Sequence, residues 1–391
     1  MSAGPDNALR RALGALGVGI YRAGLARAVV RLSPHRVRAL LYHAVEPAST
    51  SFTAGLGVTV TPATFAAHLD CFARLYDVVA PSALDGRPSH DGPPDGRAPD
   101  DGSRGARGRR GGRAGPRLVI TFDDGYASVH AHAFPLLAAR GMPACVYLIE
   151  RAVRGRLVWV NLLNHALIEH RAEALAAIGG VAPELVGLGG RDAIVARVQD
   201  AFEPARIEAL CAALVDAVPA LGALDGHVLF AAPEQVREMR AGGLEFGFHT
   251  VDHWNLTRCD DTELERQMDA SGLAELLDSD TFAYPFGHYD ARVAARAHRA
   301  VGGRVMAVGN NHARYGERHL DRIEVFSPDP ARLFAALEVV EPVIGWLRRI
   351  TRRVPPTASG DHRRHGGPSG AAAVREPVAE AAPGTGPGAS R

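Results

Sequence analysis

The sequence predicts an α/β fold: a distorted (β/α) barrel of about seven parallel strands with a helical insertion. Short, continuously apolar runs recur along the chain, and such runs are typical of strands that are buried on both faces of a parallel sheet. They alternate with segments in which apolar residues recur every three or four positions, which predicts helices. In a barrel of this kind, functional residues lie on the loops that follow the carboxyl ends of the strands.

Length and composition allow a large core but say little about function. The chain has 391 residues, of which 47% are hydrophobic, and this suffices for one large domain or two smaller ones. The formal net charge of +1 gives no electrostatic reason to expect nucleic acid as a partner, and none is predicted. The four cysteines are far apart in the sequence and form no C-x-x-C pair, so we expect unpaired, mostly buried thiols in a reducing compartment.

Residues 1–35 are predicted to form a basic amphipathic helix region. An apolar run at 13–21 follows an early arginine pair, and further arginines then interrupt it. The run is too short and too charged to span a bilayer, and no convincing signal cleavage site follows. Three interpretations stay open: a helix that packs on the domain, peripheral contact with a membrane, and a signal. The weak export signal favours a cytoplasmic location, with any membrane contact at the inner membrane face.

Residues 36–345 are predicted to form the main domain, and two stretches interrupt its alternating pattern. Residues 86–116 are almost entirely Gly, Pro, Arg, Asp and Ser, which predicts a disordered insertion, and the tail at 354–391 is predicted to be disordered as well. Residues 160–227 are rich in Ala and Leu and predict a helical insertion. The predicted strands lie at 38–43, 76–79, 118–122, 144–149, 244–248, 281–284, 305–308 and 322–325, and the predicted helices outside the insertion lie at 62–75, 131–140, 233–241, 262–277 and 290–300.

Two adjacent carboxylates, Asp123 and Asp124, follow one predicted strand in the segment TFDDGY. At the mouth of a barrel, neighbouring carboxylates do not both stay ionised cheaply unless a cation compensates their charge. Metal binding by one and general-base catalysis by the other would resolve the repulsion. An ordinary Asp-Asp-Gly turn is the alternative interpretation of this segment alone.

Two histidines, His249 and His253, follow another predicted strand. If a helix begins there, positions i and i+4 share one face and can bind one ion. A pair at this spacing is weak on its own, but an aspartate from the carboxylate segment completes a two-His, one-Asp set. Such a set leaves positions open for water and substrate, as a catalytic metal site requires.

The third segment, FAYPFG at 282–287, also ends a predicted strand. Pro and Gly around an aromatic residue give a fixed turn whose backbone N–H could stabilise an oxyanion. A plain loop is the alternative interpretation.

Together the three segments resemble the polysaccharide deacetylase family, which is also called carbohydrate esterase family four or the NodB-homology domain. The family motifs TFDDG, H-(S/T)-x-x-H and Pro-aromatic-Gly appear here in the same order. The resemblance covers roughly residues 37–156, apart from the insertion at 86–116, and residues 228–326. It implies a metal-dependent hydrolase that removes an N-acetyl group from an N-acetylated sugar, glycan or glycolipid.

The resemblance also implies the roles of individual residues. Asp123 corresponds to the general base, and the backbone N–H of Phe286 corresponds to an oxyanion donor. Asp124, His249 and His253 correspond to the ligands of a divalent cation, for which Zn²⁺ is the first expectation and Co²⁺ or Ni²⁺ also fit. The oligomeric state is not indicated.

Two departures from the family pattern concern proton transfer. Ala283 stands where the family often has an arginine that tunes the base, so that contact is either missing or supplied elsewhere, for instance by Arg322. The family's late acid histidine is absent, but His43, at the end of the first predicted strand, resembles a branch with circularly permuted motifs. His43 is thus a candidate general acid, with a buried structural histidine as the alternative.

Three other functions stay open. The same site could remove an O-acetyl or formyl group, the chain could be a non-catalytic carbohydrate-binding protein, or it could be an interaction scaffold that uses its arginine-rich insertion. Trp159 and the helical insertion could form a substrate wall, or Trp159 could belong to the core.

Overall fold

The computed structural model describes residues 5–34, 36–85, 115–308, 318–325 and 327–351. Of the predicted disordered insertion, only residues 115 and 116 are within these ranges, and the predicted tail at 354–391 lies outside them.

Seven parallel strands form a closed barrel, which confirms the predicted fold class. The ten strands of the described residues, in chain order, are β1 (Val37–Tyr42), β2 (Ala44–Val45), β3 (Thr59–Val60), β4 (Asp77–Val78), β5 (Arg117–Phe122), β6 (Cys145–Leu148), β7 (Glu245–Phe248), β8 (Phe282–Ala283), β9 (Val305–Val308) and β10 (His319–Glu324). The seven barrel strands are β1 and β5 to β10. β1 closes the barrel because all six of its residues pair with β5 while Leu40 and Leu41 also pair with β10. β4 adds to the start of β5, and β2 and β3 form a separate pair.

Helices surround the barrel and build the predicted insertion. They are α1 (Pro5–Arg22), α2 (Ala26–Leu32), α3 (Pro62–Leu75), α4 (Phe134–Ala138), α5 (Glu150–Val153), α6 (Trp159–Glu169), α7 (Arg171–Val181), α8 (Pro183–Val186), α9 (Arg191–Ala201), α10 (Pro204–Ala217), α11 (Pro219–Gly222), α12 (Pro233–Ala241), α13 (Asp261–Gln267), α14 (Ala291–Ala300), α15 (Pro330–Ala335) and α16 (Glu341–Thr351). Short π-helical turns precede α4 and join α15 to α16. The insertion consists of α6 to α11.

Side chains of the barrel strands alternate between the interior and the surrounding helices. Val119 of β5 and Leu320 of β10 belong to the apolar cluster inside the barrel. Two positions further along each strand, Thr121 and Arg322 therefore point into the barrel near its mouth. Both are fully buried, which is expected for Thr121 and unusual for an arginine.

The predicted helix at 262–277 is wrong in its second half. α13 ends at Gln267, and a separate 3₁₀ turn spans Ala270–Leu273. The side chain of Asp269 accepts a hydrogen bond from the backbone N–H of Ser271 at 3.0 Å, which starts the new turn instead of continuing the helix.

The N-terminal region forms two helices, and α1 packs against the segment from α15 to α16. Gly17 allows the close approach, because a Cβ atom there would lie 2.5 Å from the Cβ of Ala335. The rings of Tyr21 and Phe334 are 5.5 Å apart. No single helix in the described part of the chain is long and apolar enough to cross a membrane, although Asn7–Arg22 and Ala26–Leu32 together reach the required length and composition, with a bend of 114° between them.

Candidate active site

The predicted functional segments meet at one end of the barrel. Asp123 and Asp124 directly follow β5, and His249 directly follows β7. The turn that contains Phe286 comes just after β8. Because all barrel strands are parallel, the loops after them lie at the same mouth, as the sequence predicted.

The three predicted metal ligands lie together and are buried. Asp124, His249 and His253 each offer a ligand atom, and these atoms all lie within 4.8 Å of one another. Oδ1 of Asp124 lies 3.4 Å from Nε2 of His249 and 3.3 Å from Nε2 of His253. The spacing read from the sequence therefore corresponds to a spatial cluster.

Two features of this cluster fit a divalent cation. Oδ1 of Asp124 has no hydrogen-bond partner among the described residues although it is buried. Nδ1 of His249 lies 2.8 Å from the carbonyl oxygen of Ala283, and donation along this contact leaves Nε2 with its lone pair toward Asp124. A buried carboxylate oxygen that faces imidazole nitrogens without hydrogen bonding is a donor set that a cation would complete.

The protonation of the cluster is also shaped by burial. Burial lowers the pKa of His253 to about 4, so this imidazole is neutral near pH 7 and can bind a cation. Burial raises the pKa of Asp124, but the neighbouring His253 and His249 more than offset that effect, and the pKa is lowered overall. Both residues are thus in the ionisation state that metal binding requires.

The loops at the site adopt an uncommon backbone conformation. Among the described residues, the non-glycine positions with positive φ are Asp124 (70°), Thr250 (72°), His253 (63°) and Phe286 (56°), and all four belong to the predicted functional segments. A left-handed conformation costs a non-glycine residue on the order of 1 kcal/mol. All four strained residues lie at the candidate site. The loops there therefore hold their side chains in position at the expense of local backbone stability.

No helix begins at His249, so the two histidines converge by another route than the i, i+4 face of a helix. The left-handed conformations of Thr250 and His253 rule out a helical turn. The side chain of Thr250 accepts a hydrogen bond from the backbone N–H of His253 at 3.0 Å and fixes the loop. This compact loop brings the imidazoles to one point.

Asp123 is held by a buried arginine. Nη1 and Nη2 of Arg322 donate to the two carboxylate oxygens of Asp123 at 2.6 and 2.7 Å, and Nη1 also donates to Oγ1 of Thr121 at 3.1 Å. The arginine contact that Ala283 does not provide thus comes from Arg322. Burial raises the pKa of Asp123, but the guanidinium of Arg322 and then His249 oppose it, so the pKa is lowered overall.

His43 follows β1 at the same mouth, where its charge contributes to lowering the pKa values of Asp123 and Asp124. Sequence reasoning missed its neighbour Glu324, which comes two positions after Arg322 and therefore points to the same side of β10. Burial raises the pKa of Glu324, and His43 opposes that rise. The available signal was the alternation of charged and apolar residues in the predicted strand at 322–325, where Arg322 and Glu324 are the charged ones.

Two aromatic residues, Phe286 and Trp159, pack next to the predicted metal ligand His253. The ring of Phe286 is 4.5 Å from that of His253 and 5.9 Å from that of Trp159. Trp159 is 3% exposed, and its Nε1 donates to the carbonyl oxygen of His253 at 3.0 Å. Trp159 is therefore a core residue that supports a ligand loop, and it does not form a solvent-facing substrate wall.

The helical insertion is attached to that same loop. Nδ2 of Asn255 donates to the carbonyl oxygen of Gln199 at 3.0 Å, and Nε of Arg258 donates to that of Asp200 at 2.8 Å. Since α6 begins with Trp159 and α9 contains Gln199 and Asp200, the insertion contacts the loop of His253 through both α6 and α9.

Comparison with known proteins finds a family model that matches part of the chain. The family model described as polysaccharide deacetylase matches residues 110–302. None of the curated proteins compared with the chain matches it. The chain is similar in structure to the deacetylase PplD of Streptococcus pyogenes in complex with acetate, with 17% identity, a TM-score of 0.47 and coverage of 78% of this chain and 100% of that one. It is also similar to IcaB from Ammonifex degensii, with 18% identity, a TM-score of 0.46 and coverage of 78% and 98%.

Proposed function

We propose that the chain is a metal-dependent carbohydrate deacetylase of the polysaccharide deacetylase family, whose model matches residues 110–302, and that it removes an N-acetyl group from an N-acetylhexosamine-containing glycan or sugar conjugate. One observation carries the proposal: a buried carboxylate paired with an arginine lies beside a buried set of metal-type ligands with an unpaired oxygen. A non-catalytic carbohydrate-binding protein would not need the pair and the ligand set side by side.

In this proposal Asp124, His249 and His253 hold the cation, and Zn²⁺ suits two imidazoles and one carboxylate, while Co²⁺ or Ni²⁺ also fit. When bound, the cation supplies Lewis-acid polarisation of the substrate carbonyl and acidifies water.

Asp123 acts as the general base. The lowered pKa keeps its carboxylate ionised at neutral pH, and the bidentate contact with Arg322 fixes its orientation. One carboxylate oxygen lies 3.6 Å from Nε2 of His249, next to the ligand cluster. This position supports the proposed role, in which the carboxylate accepts a proton from a water that attacks an acetamide carbon beside the cluster.

His43 and the turn at Phe286 are proposed to complete the reaction. His43, at the end of β1, would donate a proton to the nitrogen of the leaving amine as the C–N bond breaks. The backbone N–H of Phe286, in a left-handed turn beside His253, would donate to the oxyanion. The products are acetate and an amino sugar. The order of the strands in the closed barrel is compatible with a circular permutation of the family motifs, which stays a proposal.

The proposal is tested by measuring acetate release from a panel of N-acetylated and O-acetylated sugars. We expect release from N-acetylated substrates, loss with a chelator, and recovery when Zn²⁺ is added back. Asp123→Asn should lower the rate of release by about 10²- to 10⁴-fold, whereas the exposed control Asp192→Asn should leave it unchanged. Activity that persists in chelator and in Asp123→Asn would exclude this mechanism, and release from O-acetylated sugars alone would reassign the substrate.

A further inference from the structure

Exposed hydrophobic side chains are concentrated in one part of the fold. The described residues expose ten large hydrophobic side chains, and five of them belong to α1, to α2 with the residue that precedes it, and to α16. These five, which we call the N-terminal surface, are Leu9, Leu16, Leu25, Leu32 and Trp346, with Leu32 83%, Trp346 60% and Leu16 56% exposed. Apolar side chains exposed to this extent and grouped together indicate an interaction surface.

Packing places Trp346 of α16 beside α1, and the other four residues lie along α1 and α2. Arg10 near the start of α1 is paired with Glu341 at 2.6 Å, and Gly17 further along α1 packs on Ala335. α1 therefore runs antiparallel to the segment from α15 to α16. Trp346 comes about one and a half helical turns after Glu341 and so lies at the α1 end that carries Leu9.

The charge of residues 7–36 has one sign, and Glu341 of α16, which meets them, is paired with Arg10. Residues 7–36 contain six arginines and no aspartate or glutamate, whereas the whole chain has a net charge of only +1. Arg11, Arg22, Arg27 and Arg31 are exposed among the apolar side chains. Leucine and tryptophan interspersed with arginine, without acidic residues, is the composition of helices that lie in the interface of anionic membranes.

We propose that the N-terminal surface docks the protein on an anionic phospholipid bilayer. The bend of 114° between Asn7–Arg22 and Ala26–Leu32 suits helices that lie along a membrane surface and does not suit a straight span. A second copy of the chain is a poorer occupant, because a symmetric contact would bring two clusters of arginines together. The apolar side chains enter the interface, and the arginines bind the phosphate groups of the lipids.

The test is sedimentation of the full chain with vesicles of phosphatidylcholine alone and of phosphatidylcholine mixed with phosphatidylglycerol. We expect binding to the mixed vesicles only, and weaker binding at high salt. The double variant Leu16→Glu/Leu25→Glu should bind at least about tenfold more weakly, as should Arg22→Gln/Arg31→Gln. Both variants change exposed side chains, so acetate release from a soluble substrate should not change.

Matched controls keep the outcome clear. Val186→Glu/Val228→Glu adds the same two negative charges at side chains that are 45% and 65% exposed and lie outside the N-terminal surface, and Arg237→Gln/Arg299→Gln removes two exposed arginines outside it. Both should bind vesicles as the parent protein does. Absence of binding to the mixed vesicles, or equal losses in control and test variants, would overturn the proposal. A dimer in analytical ultracentrifugation that Leu16→Glu/Leu25→Glu dissociates would assign the surface to a second copy instead.

Discussion

Two buried pairs of an arginine and a carboxylate lie in different parts of the barrel. At the mouth, Arg322 of β10 holds Asp123 through two hydrogen bonds. At the start of β1, Arg38 holds Glu338 in the same way, with Nε donating to Oε1 at 3.0 Å and Nη2 donating to Oε2 at 2.7 Å. Both arginines are fully buried, so neither burial nor pairing separates the two sites.

The surroundings of the two pairs differ. The hydroxyl of Tyr76 donates to Glu338 at 2.7 Å, and Nη2 of Arg38 also donates to Oγ of Ser33 at 2.7 Å. Both members of the pair at the start of β1 therefore have further hydrogen-bond partners. Next to Asp123, in contrast, Asp124 carries an unpaired oxygen and a left-handed backbone. An incomplete polar cluster on a strained loop, and not a buried ion pair as such, marks the functional site.

The largest expected effect separates the two carboxylates by activity. Asp123→Asn should lower kcat for acetate release by about 10²- to 10⁴-fold, because the amide cannot accept the proton of the attacking water. Glu338→Gln should leave kcat per folded molecule unchanged. The measurement is steady-state acetate release, normalised to the folded fraction from circular dichroism. Equal losses in both variants would remove the distinction between the two pairs.

The second expected effect is on stability and concerns the pair of Arg38 and Glu338. Glu338→Gln should lower the free energy of unfolding by about 3–5 kcal/mol, because it leaves the buried guanidinium of Arg38 without its counter-charge. Replacing both partners, as in Arg38→Met/Glu338→Leu, should cost much less, because no unpaired charge is then buried. Urea unfolding of the three proteins measures both values. A double variant that is less stable than Glu338→Gln would show that the pair itself contributes net stability.

Local features of the sequence predicted the strands and the candidate residues. The apolar run before Asp123 and the short spacing between His249 and His253 are local, so they are readable without a structure. The pairing of Arg322 with Asp123, which the sequence offered only as one possible replacement for the missing family arginine, joins residues 199 positions apart. The pairing of Arg38 with Glu338, which was not predicted, joins residues 300 positions apart. Such pairs depend on barrel closure, which no single segment encodes.

The conformation of the ligand loops was also beyond the sequence. Thr250 and His253 have positive φ although neither is glycine, so their identity favours other conformations. The helix expected there follows from the histidine spacing alone, and the tertiary contacts of Thr250 and Trp159 decide against it. The cytoplasmic location predicted from the N-terminal residues stays a prediction.

The third effect concerns pH. Arg322 is the largest of the groups that lower the pKa of Asp123, so Arg322→Lys, which loses the bidentate geometry, should raise that pKa. Because the base must be ionised, the acidic limb of the kcat/KM profile should then move to higher pH. Arg38→Lys should leave that limb where it is. An unshifted limb in Arg322→Lys would mean that Arg322 orients Asp123 without tuning its ionisation.

The smallest expected effect comes from removing one aromatic hydrogen-bond donor, either from the metal-ligand loop near Asp123 or from the pair of Arg38 and Glu338. Trp159→Phe removes the donor to the carbonyl oxygen of His253 and should weaken Zn²⁺ binding about tenfold, as is typical when a group that orients a metal ligand is lost. Tyr76→Phe removes the donor to Glu338 and should instead lower the free energy of unfolding by about 1 kcal/mol with unchanged Zn²⁺ affinity.

Competition with a chromophoric chelator measures the affinity, and urea unfolding measures the stability. If Trp159→Phe changed only stability, the left-handed conformation of His253 would be held by Thr250 without help from the insertion. The contacts of the helical insertion with the ligand loop would then stabilise the fold without contributing to Zn²⁺ affinity. Only the loops that follow the barrel strands would determine that affinity.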